Sequence, residues 1–108
     1  MPESRLLPVV LRALADPTRR AVYERLCQQE MTVSQLKDDL PVSQPAVSQH
    51  LAALKAAGLV SERREGRFAL YRAAPDGLSP LADWIDRHRA QWPARVENLK
   101  RLLKEMDT

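Results

Sequence analysis

Apolar residues recur along this chain in two rhythms. From residue 5 to residue 56 they return every three or four positions, as on one face of a helix. From Leu59 to Ala73 the chain is extended, and from Leu81 to Met106 the helical spacing resumes. The first stretch divides into four pieces. Residues 5–15 read as a short helix with Leu6, Val10, Leu11 and Leu14 on one side. Asp16 is placed to cap a second helix whose first residue is Pro17. It runs to about Gln29, with Val22, Leu26 and Cys27 inward and Arg19, Arg20, Glu24 and Arg25 mostly outward. Thr32 and Gln35 stand at capping-box spacing, and Met31 is placed to staple against Leu36, so a third helix is expected over residues 33–39. Leu40-Pro41-Val42 then forces a tight turn, because proline disfavours a helical residue before it.

Ser43 opens the fourth helix as its N-cap, Pro45 fits the first turn, and Gly58 supplies the left-handed position at which helices stop. Val47, Leu51 and Leu54 form its buried stripe, which leaves Gln44, Ser48, Gln49, Ala52 and Lys55 facing outward. An ordinary solvated helix carries Glu and Lys on that face. Here small residues and amides are followed by one lysine, a surface that can approach another macromolecule closely and offer donors and acceptors to base edges with little charge to desolvate. Two short helices joined by a tight turn, the second with a polar N-terminal face, make a helix-turn-helix arrangement. His50 follows the exposed Gln49 and is expected to pack or to contact backbone within the same helix.

The extended stretch reads as a hairpin over residues 59–73, with arms at 59–64 and 67–73 and Glu65-Gly66 as a two-residue turn. Arg63, Arg64 and Arg67 cluster around one glutamate at its tip, and Arg72 lies further along. A solvated tip is the plain reading of that cluster. Beside a helix-turn-helix, a phosphate-gripping wing fits better. After Pro75-Asp76-Gly77 a long helix is expected over residues 79–106, kinked or broken at Trp92-Pro93. Its stripe is Leu81, Ile85, His88, Trp92, Val96, Leu99, Leu103 and Met106. Such a stripe exceeds what the domain ahead of it can cover, so a second copy of the chain is the natural partner; folding back onto its own domain is the alternative.

At 108 residues the chain is one small domain, with a core over residues 5–75 and a dimerisation helix over residues 79–106. A domain of this size buries roughly two-thirds of its unfolded surface and needs no disulfide or metal for stability. Cys27, the single cysteine, has no partner for an intramolecular bridge and is read as packing. The apolar run from Leu6 is ended by Arg12 without a cleavage site, and no segment approaches the ~20 apolar residues that span a bilayer. A cytoplasmic protein without a membrane partner is therefore expected. The net charge of +3, from 17 Lys+Arg against 14 Asp+Glu, permits nucleic acid without requiring it. No enzyme is expected. Neither of the 2 histidines sits in a nucleophile or metal constellation, and the 3 glycines form no phosphate-cradling loop.

Several separated segments, in this order, closely resemble the ArsR family of winged-helix repressors: Ala13 through Arg20, Ser43 through Leu54, Ala57-Gly58-Leu59-Val60, and Arg64-Glu65-Gly66-Arg67 through Tyr71. The resemblance covers about residues 9–73. It implies a mainly α fold with a two-stranded β-wing, dimerised through terminal helices, and a dimeric bacterial transcription factor that sits on short inverted repeats, usually repressing. Many members of that family leave DNA on binding a metal ion or other signal. Here Thr32 and Ser34 stand where one family metal site has cysteines. Asp86-Arg87-His88 reproduces part of a second site, whose later positions fall on Leu99 and Leu102. Two ligands are too few for a closed tetrahedral site, so no metal and no cofactor are expected. Asp83-Trp84-Ile85, Trp92 and the segment Val96-Glu97-Asn98-Leu99 resemble the SdpR-type branch, which lacks those ligands.

The expected function is a homodimeric, sequence-specific regulator of transcription on double-stranded DNA, most simply a repressor at an inverted-repeat operator. Gln44, Ser48 and Gln49 are candidates for reading bases, with Pro45 and Ala46 permitting close approach. Lys55, Arg64 and Arg67 are candidates for phosphates, with Ser34 and Ser43 positioning the backbone. A winged-helix module used for protein-protein contact is the rival. The sequence names no effector.

Overall fold

The computed structural model describes residues 2–90 and 93–106. Six helices and one hairpin follow in the order α1 (Pro2–Ala15), α2 (Pro17–Gln28), α3 (Val33–Asp39), α4 (Gln44–Ala56), β1 (Val60–Glu65), β2 (Phe68–Ala73), α5 (Ser79–Arg89) and α6 (Pro93–Met106). The architecture is a winged helix-turn-helix, mainly α with a two-stranded antiparallel wing.

Local chemistry sets most of these boundaries. Asp16 accepts the Arg19 N–H at 2.9 Å and caps α2, with Pro17 as the first helical residue. Thr32 and Gln35 close a reciprocal capping box at α3, at 3.2 and 2.9 Å. The Val42 N–H reaches the Leu40 carbonyl at 2.8 Å, which folds the chain tightly around Pro41 between the two helices. At the end of α4, Gly58 takes φ +76, so its N–H meets the Lys55 carbonyl at 3.0 Å while that of Leu59 meets Leu54 at 2.9 Å. These two bonds make a Schellman ending, and they turn Leu59 back into the core beneath Leu54.

The core joins α1 to β1: Val10 and Ala13 of α1, Val22, Tyr23 and Leu26 of α2, Met31, Leu36, then Val47, Leu51, Leu54 and Ala57 of the α4 region, with Leu59 and Val60. Several expected inward residues are not in it. Leu6 and Leu11 are 48% exposed, because the face of α1 that meets the body is centred on Val10 and Ala13. Cys27, expected inward, is exposed. On α2 the adjacent Val22 and Tyr23 flank the buried line and Leu26 completes it, which turns Cys27 outward. Burial of Tyr23, with the Cys27 thiol beside it, pushes its phenol up to about 12.

In the hairpin Glu65 pairs with Phe68, so the two-residue turn is Gly66-Arg67, one position later than Glu65-Gly66. Gly66 has φ +60 and, among the described residues, no non-glycine residue has positive φ, the pattern of a type II′ turn. A bridge absent from the sequence reading ties the wing down. Met31, just ahead of α3, exchanges backbone hydrogen bonds with Tyr71 of β2 at 3.0 and 2.9 Å.

The C-terminal stripe falls on two helices, the second opening at Pro93, where a ring without a backbone donor suits a first turn. α5 packs beside α1. On α6, Val96, Leu99, Leu102, Leu103 and Met106 are all exposed. The radius of gyration is 18.0 Å, against about 13 Å for a compact domain of this length.

Candidate nucleic-acid interface

The site is built on α4. Its buried residues, Val47, Leu51 and Leu54, fix the helix on the core by one stripe, and the period of 3.6 then turns Gln44, Ser48, Gln49, Ala52 and Lys55 outward, all of them exposed. Pro45 is exposed and Ala46 partly covered. Ser43 is exposed, but its hydroxyl accepts the Ala46 N–H at 3.3 Å and is committed to the cap. Ser34 is exposed in the first turn of α3. These residues lie on the two helices of the helix-turn-helix, and the first turn of α4 presents Gln44 and Pro45 with no charged side chain among them.

The basic residues separate into two groups. Arg63 grips Glu30, just beyond the C-cap of α2, in a bidentate pair, Nε to Oε2 at 2.7 Å and Nη2 to Oε1 at 2.8 Å, and also meets Glu65 at 3.1 Å. It anchors the wing, and its guanidinium holds the Glu30 carboxyl below the usual carboxylate range. Arg72 donates weakly to Ser61 at 3.4 Å. Arg64 and Arg67 are exposed and make no ion pair among the described residues. They are therefore the hairpin's free cations, whereas Arg63, clustered with them in sequence, is not. Lys55 is also engaged. Its ammonium meets Glu62 at 2.8 Å, and Glu62 accepts the Tyr71 hydroxyl at 3.3 Å, so α4 and the wing are joined by a charged link. The bond to Glu62 raises the lysine above its ordinary value and lowers the carboxylate below its own.

His50 lies between the exposed and buried faces of α4, with its Nδ1 buried and unpartnered. It adds to the field on Asp16, whose carboxyl is held below its usual value chiefly by the Arg19 N–H.

The residues expected to bury a second copy lie elsewhere. Leu81 and His88 are partly buried, and Ile85, Val96, Leu99 and Leu103 are exposed. Trp92 lies outside the described residues. His88 stacks on Trp84 with ring centroids 4.3 Å apart, and its Nδ1 lies 2.9 Å from the Trp84 carbonyl. Trp84, His88, Ile85 and Val96 line an apolar hollow of about 220 Å³ between α5 and α6. Among the described residues no group of three or more His, Cys, Asp or Glu side chains is arranged to hold a metal ion. No described helix is long and apolar enough to cross a membrane.

One exposed residue at the wing had no place in the sequence reading. Phe68 follows the turn with 64% of its surface open. Both faces of β2 are apolar in sequence, Phe68 and Leu70 on one and Ala69 and Tyr71 on the other, so alternation gave no reason to set it apart.

Residues 16–62 match the model of a family described as bacterial regulatory protein, arsR family. Two regulators of Mycobacterium tuberculosis are similar. The HTH-type transcriptional regulator Rv2034 is 51% identical over 76 residues, 70% of this chain and 71% of that protein. The HTH-type transcriptional repressor SmtB is 50% identical over 72 residues, 67% of this chain but only 53% of that protein. The transcriptional repressor SdpR of Bacillus subtilis is 33% identical over 76 residues, 70% of this chain and 84% of that protein. In three dimensions, an ArsR-like transcriptional regulator from Rhodococcus sp. RHA1 superposes with a TM-score of 0.78 at 34% identity, covering 94% of this chain and 96% of that one.

Proposed function

The chain belongs to the ArsR family of bacterial regulatory proteins, a family of DNA-binding transcriptional regulators, and from that premise we propose that it works as a homodimeric repressor on an inverted-repeat operator. Residues 5–75 would form the DNA-binding core and residues 79–106 the dimerisation segment, acting in the cytoplasm where the DNA is. The observation that carries this reading is the uncharged polar face of α4 flanked by the unpaired guanidinium groups of Arg64 and Arg67.

Each subunit lays α4 in a major groove. Gln44, Ser48 and Gln49 present amides and hydroxyls to base edges, and Pro45 and Ala46 let the backbone come close. Arg64 and Arg67 neutralise phosphates at the flank, Lys55 joins them on leaving Glu62, and Ser34 and Ser43 lie where backbone-positioning contacts form at helix starts. The exposed stripe on α6, together with Ile85 on α5, supplies the surface that a second copy covers. Two-fold symmetry then sets half-sites one helical turn apart, roughly 34–36 Å. The Asp86 and His88 pair on α5 meets no matching ligands on α6, where Leu99 and Leu102 stand at the later positions.

Salt titration of binding to an enriched duplex and to a random one tests the reading. Arg67→Ala should weaken both duplexes alike and reduce the slope of log K against log salt by about 0.9 per subunit. A loss confined to the enriched duplex would contradict its phosphate role. Gln49→Ala should instead cost about 1–3 kcal/mol of discrimination between the two duplexes while leaving random-duplex affinity unchanged; an unaltered sequence preference removes it from the reading surface. A wild-type chain without salt-dependent affinity for either duplex would favour a protein-protein module.

A further inference from the structure

Gly77 lies in the turn between the hairpin and α5, where it is buried, and its φ is not positive, so its own backbone does not call for glycine. Its neighbours do. A Cβ at Gly77 would stand 2.8 Å from the Gly58 carbonyl oxygen, 3.0 Å from the Leu59 Cα and 3.3 Å from the Ala74 carbonyl oxygen. All three are backbone atoms, so none can rotate aside as the tip of a side chain would. Gly58 and Leu59 are the residues whose N–H groups close α4. The turn that leads into α5 therefore rests directly on the backbone that ends the reading helix.

Short bonds hold both sides of this contact. The Ala74 N–H donates to the Leu59 carbonyl at 2.9 Å, and Leu59 itself is fully buried. The Gly77 N–H donates to Ala74 at 3.1 Å and the Ser79 N–H to Asp76 at 3.1 Å, which closes the turn on itself up to the first residue of α5. Pro80, the next residue, is buried. Although the whole hairpin lies between them in sequence, α4 and α5 thus meet through packed backbone and not through a slack connection. For α5 to pivot on α4, one backbone would have to part from the other.

We propose that Gly77 is a positioning residue for operator recognition: its bare backbone, seated on Gly58 and Leu59, sets the angle between α5 and α4, and two-fold symmetry turns that angle into the distance between the two reading helices of a dimer. This rests on the homodimeric, inverted-repeat reading above. A displacement at the base of α5 is enlarged along the roughly 16 Å of its 11 residues. It then enters the distance between the two α4 helices once from each subunit. One added base pair moves the half-sites apart by about 3.4 Å and rotates one about the other. A rigid junction accepts one spacer length and resists its neighbours.

The test measures affinity for inverted-repeat duplexes carrying the enriched spacer and spacers shortened or lengthened by one and two base pairs. Wild type should lose roughly tenfold or more on a change of one base pair, the scale set by the elastic cost of twisting and bending a duplex to fit. G77A, whose methyl group forces the two backbones apart, should cut that penalty to about threefold or less, or move the optimum to a neighbouring spacer. It should still sediment as a dimer and bind random duplex as wild type does. V22A, which opens a cavity in the core at α2, should melt lower yet keep the wild-type spacer profile, and this separates positioning from stability. If G77A does not fold, a chain lengthened by Gly-Gly between Asp76 and Gly77, which alters no helix, should show the flattened profile. A wild-type profile that is flat across the series overturns the proposal. So does G77A, or the lengthened chain, with the wild-type profile, or V22A with a flattened one. A wild-type chain that is monomeric or does not bind DNA overturns the homodimeric reading and this inference together, whereas a dimer that binds normally and ignores spacer length overturns the inference alone.

Discussion

Replacing Leu99 and Leu103 together with aspartate is expected to convert the proposed dimer to a monomer and to lower affinity for an inverted-repeat duplex by roughly two orders of magnitude or more. Both leucines are exposed on α6, at 57% and 53%, so neither contributes to the core of its own chain. Each buried leucine is worth about 1.5–3 kcal/mol, and a two-fold interface contains every residue twice. Four aspartates would also face one another across the axis. The penalty on DNA follows from linkage: a dimer that has seated one α4 holds the second at a high effective concentration over the other half-site, and a monomer loses that entirely. Equilibrium sedimentation reads the assembly and fluorescence anisotropy reads the affinity. Because the altered positions lie outside the core, helical content and random-duplex binding per subunit should be preserved. A double variant that still sediments as a dimer would place the interface elsewhere.

Leu54→Ala should have the largest effect on stability. Leu54 is 0% exposed, lies in the last turns of α4, and is overlain by Leu59 through the Schellman ending. Truncating a buried leucine costs about 2–5 kcal/mol, the upper part of that range applying where neighbours cannot collapse into the space. Here the neighbours are fixed, since Leu51 and Val47 belong to the same helix and Leu59 is held by two backbone bonds around Gly58. In a domain whose whole stability is about 5–15 kcal/mol, the variant should melt many degrees lower. DNA affinity should remain near wild type at temperatures where it is folded, because no outward residue of α4 changes. A melting temperature unchanged within a degree would show that the helix is not seated by this stripe.

The helices were legible in the sequence wherever a boundary depends on neighbours in the chain. The Asp16 cap, the Thr32–Gln35 box, the Ser43 cap and the Gly58 ending each need only a few adjacent residues, and each stands where the residue types put it. What escaped depends on the third dimension or on a choice between equivalent local solutions. Gly66 can serve at either position of a two-residue turn, so the hairpin register was ambiguous by one place until β1 met β2. Cys27 and Tyr23 are four residues apart on α2 and equally apolar in pattern; only packing in three dimensions decides that the ring goes in and the thiol out. Likewise, the arginine cluster was visible as a cluster, but which member is spent on Glu30 depends on a contact spanning more than thirty positions, a separation that no local pattern encodes.

The Met31–Tyr71 bridge has a consequence for how such a molecule discriminates between duplexes. Through it, the hairpin is bonded by its backbone to the segment that opens the helix-turn-helix instead of hanging from a flexible connection. The distance from the first turn of α4 to the tip at Gly66 is therefore set by the body of the protein, like the opening of a locked caliper. A duplex offered to it must match that opening in groove width and local bend, and one that does not match must be deformed at its own elastic cost. Base pairs lying between the two jaws can then be selected by their stiffness, although no side chain reaches them.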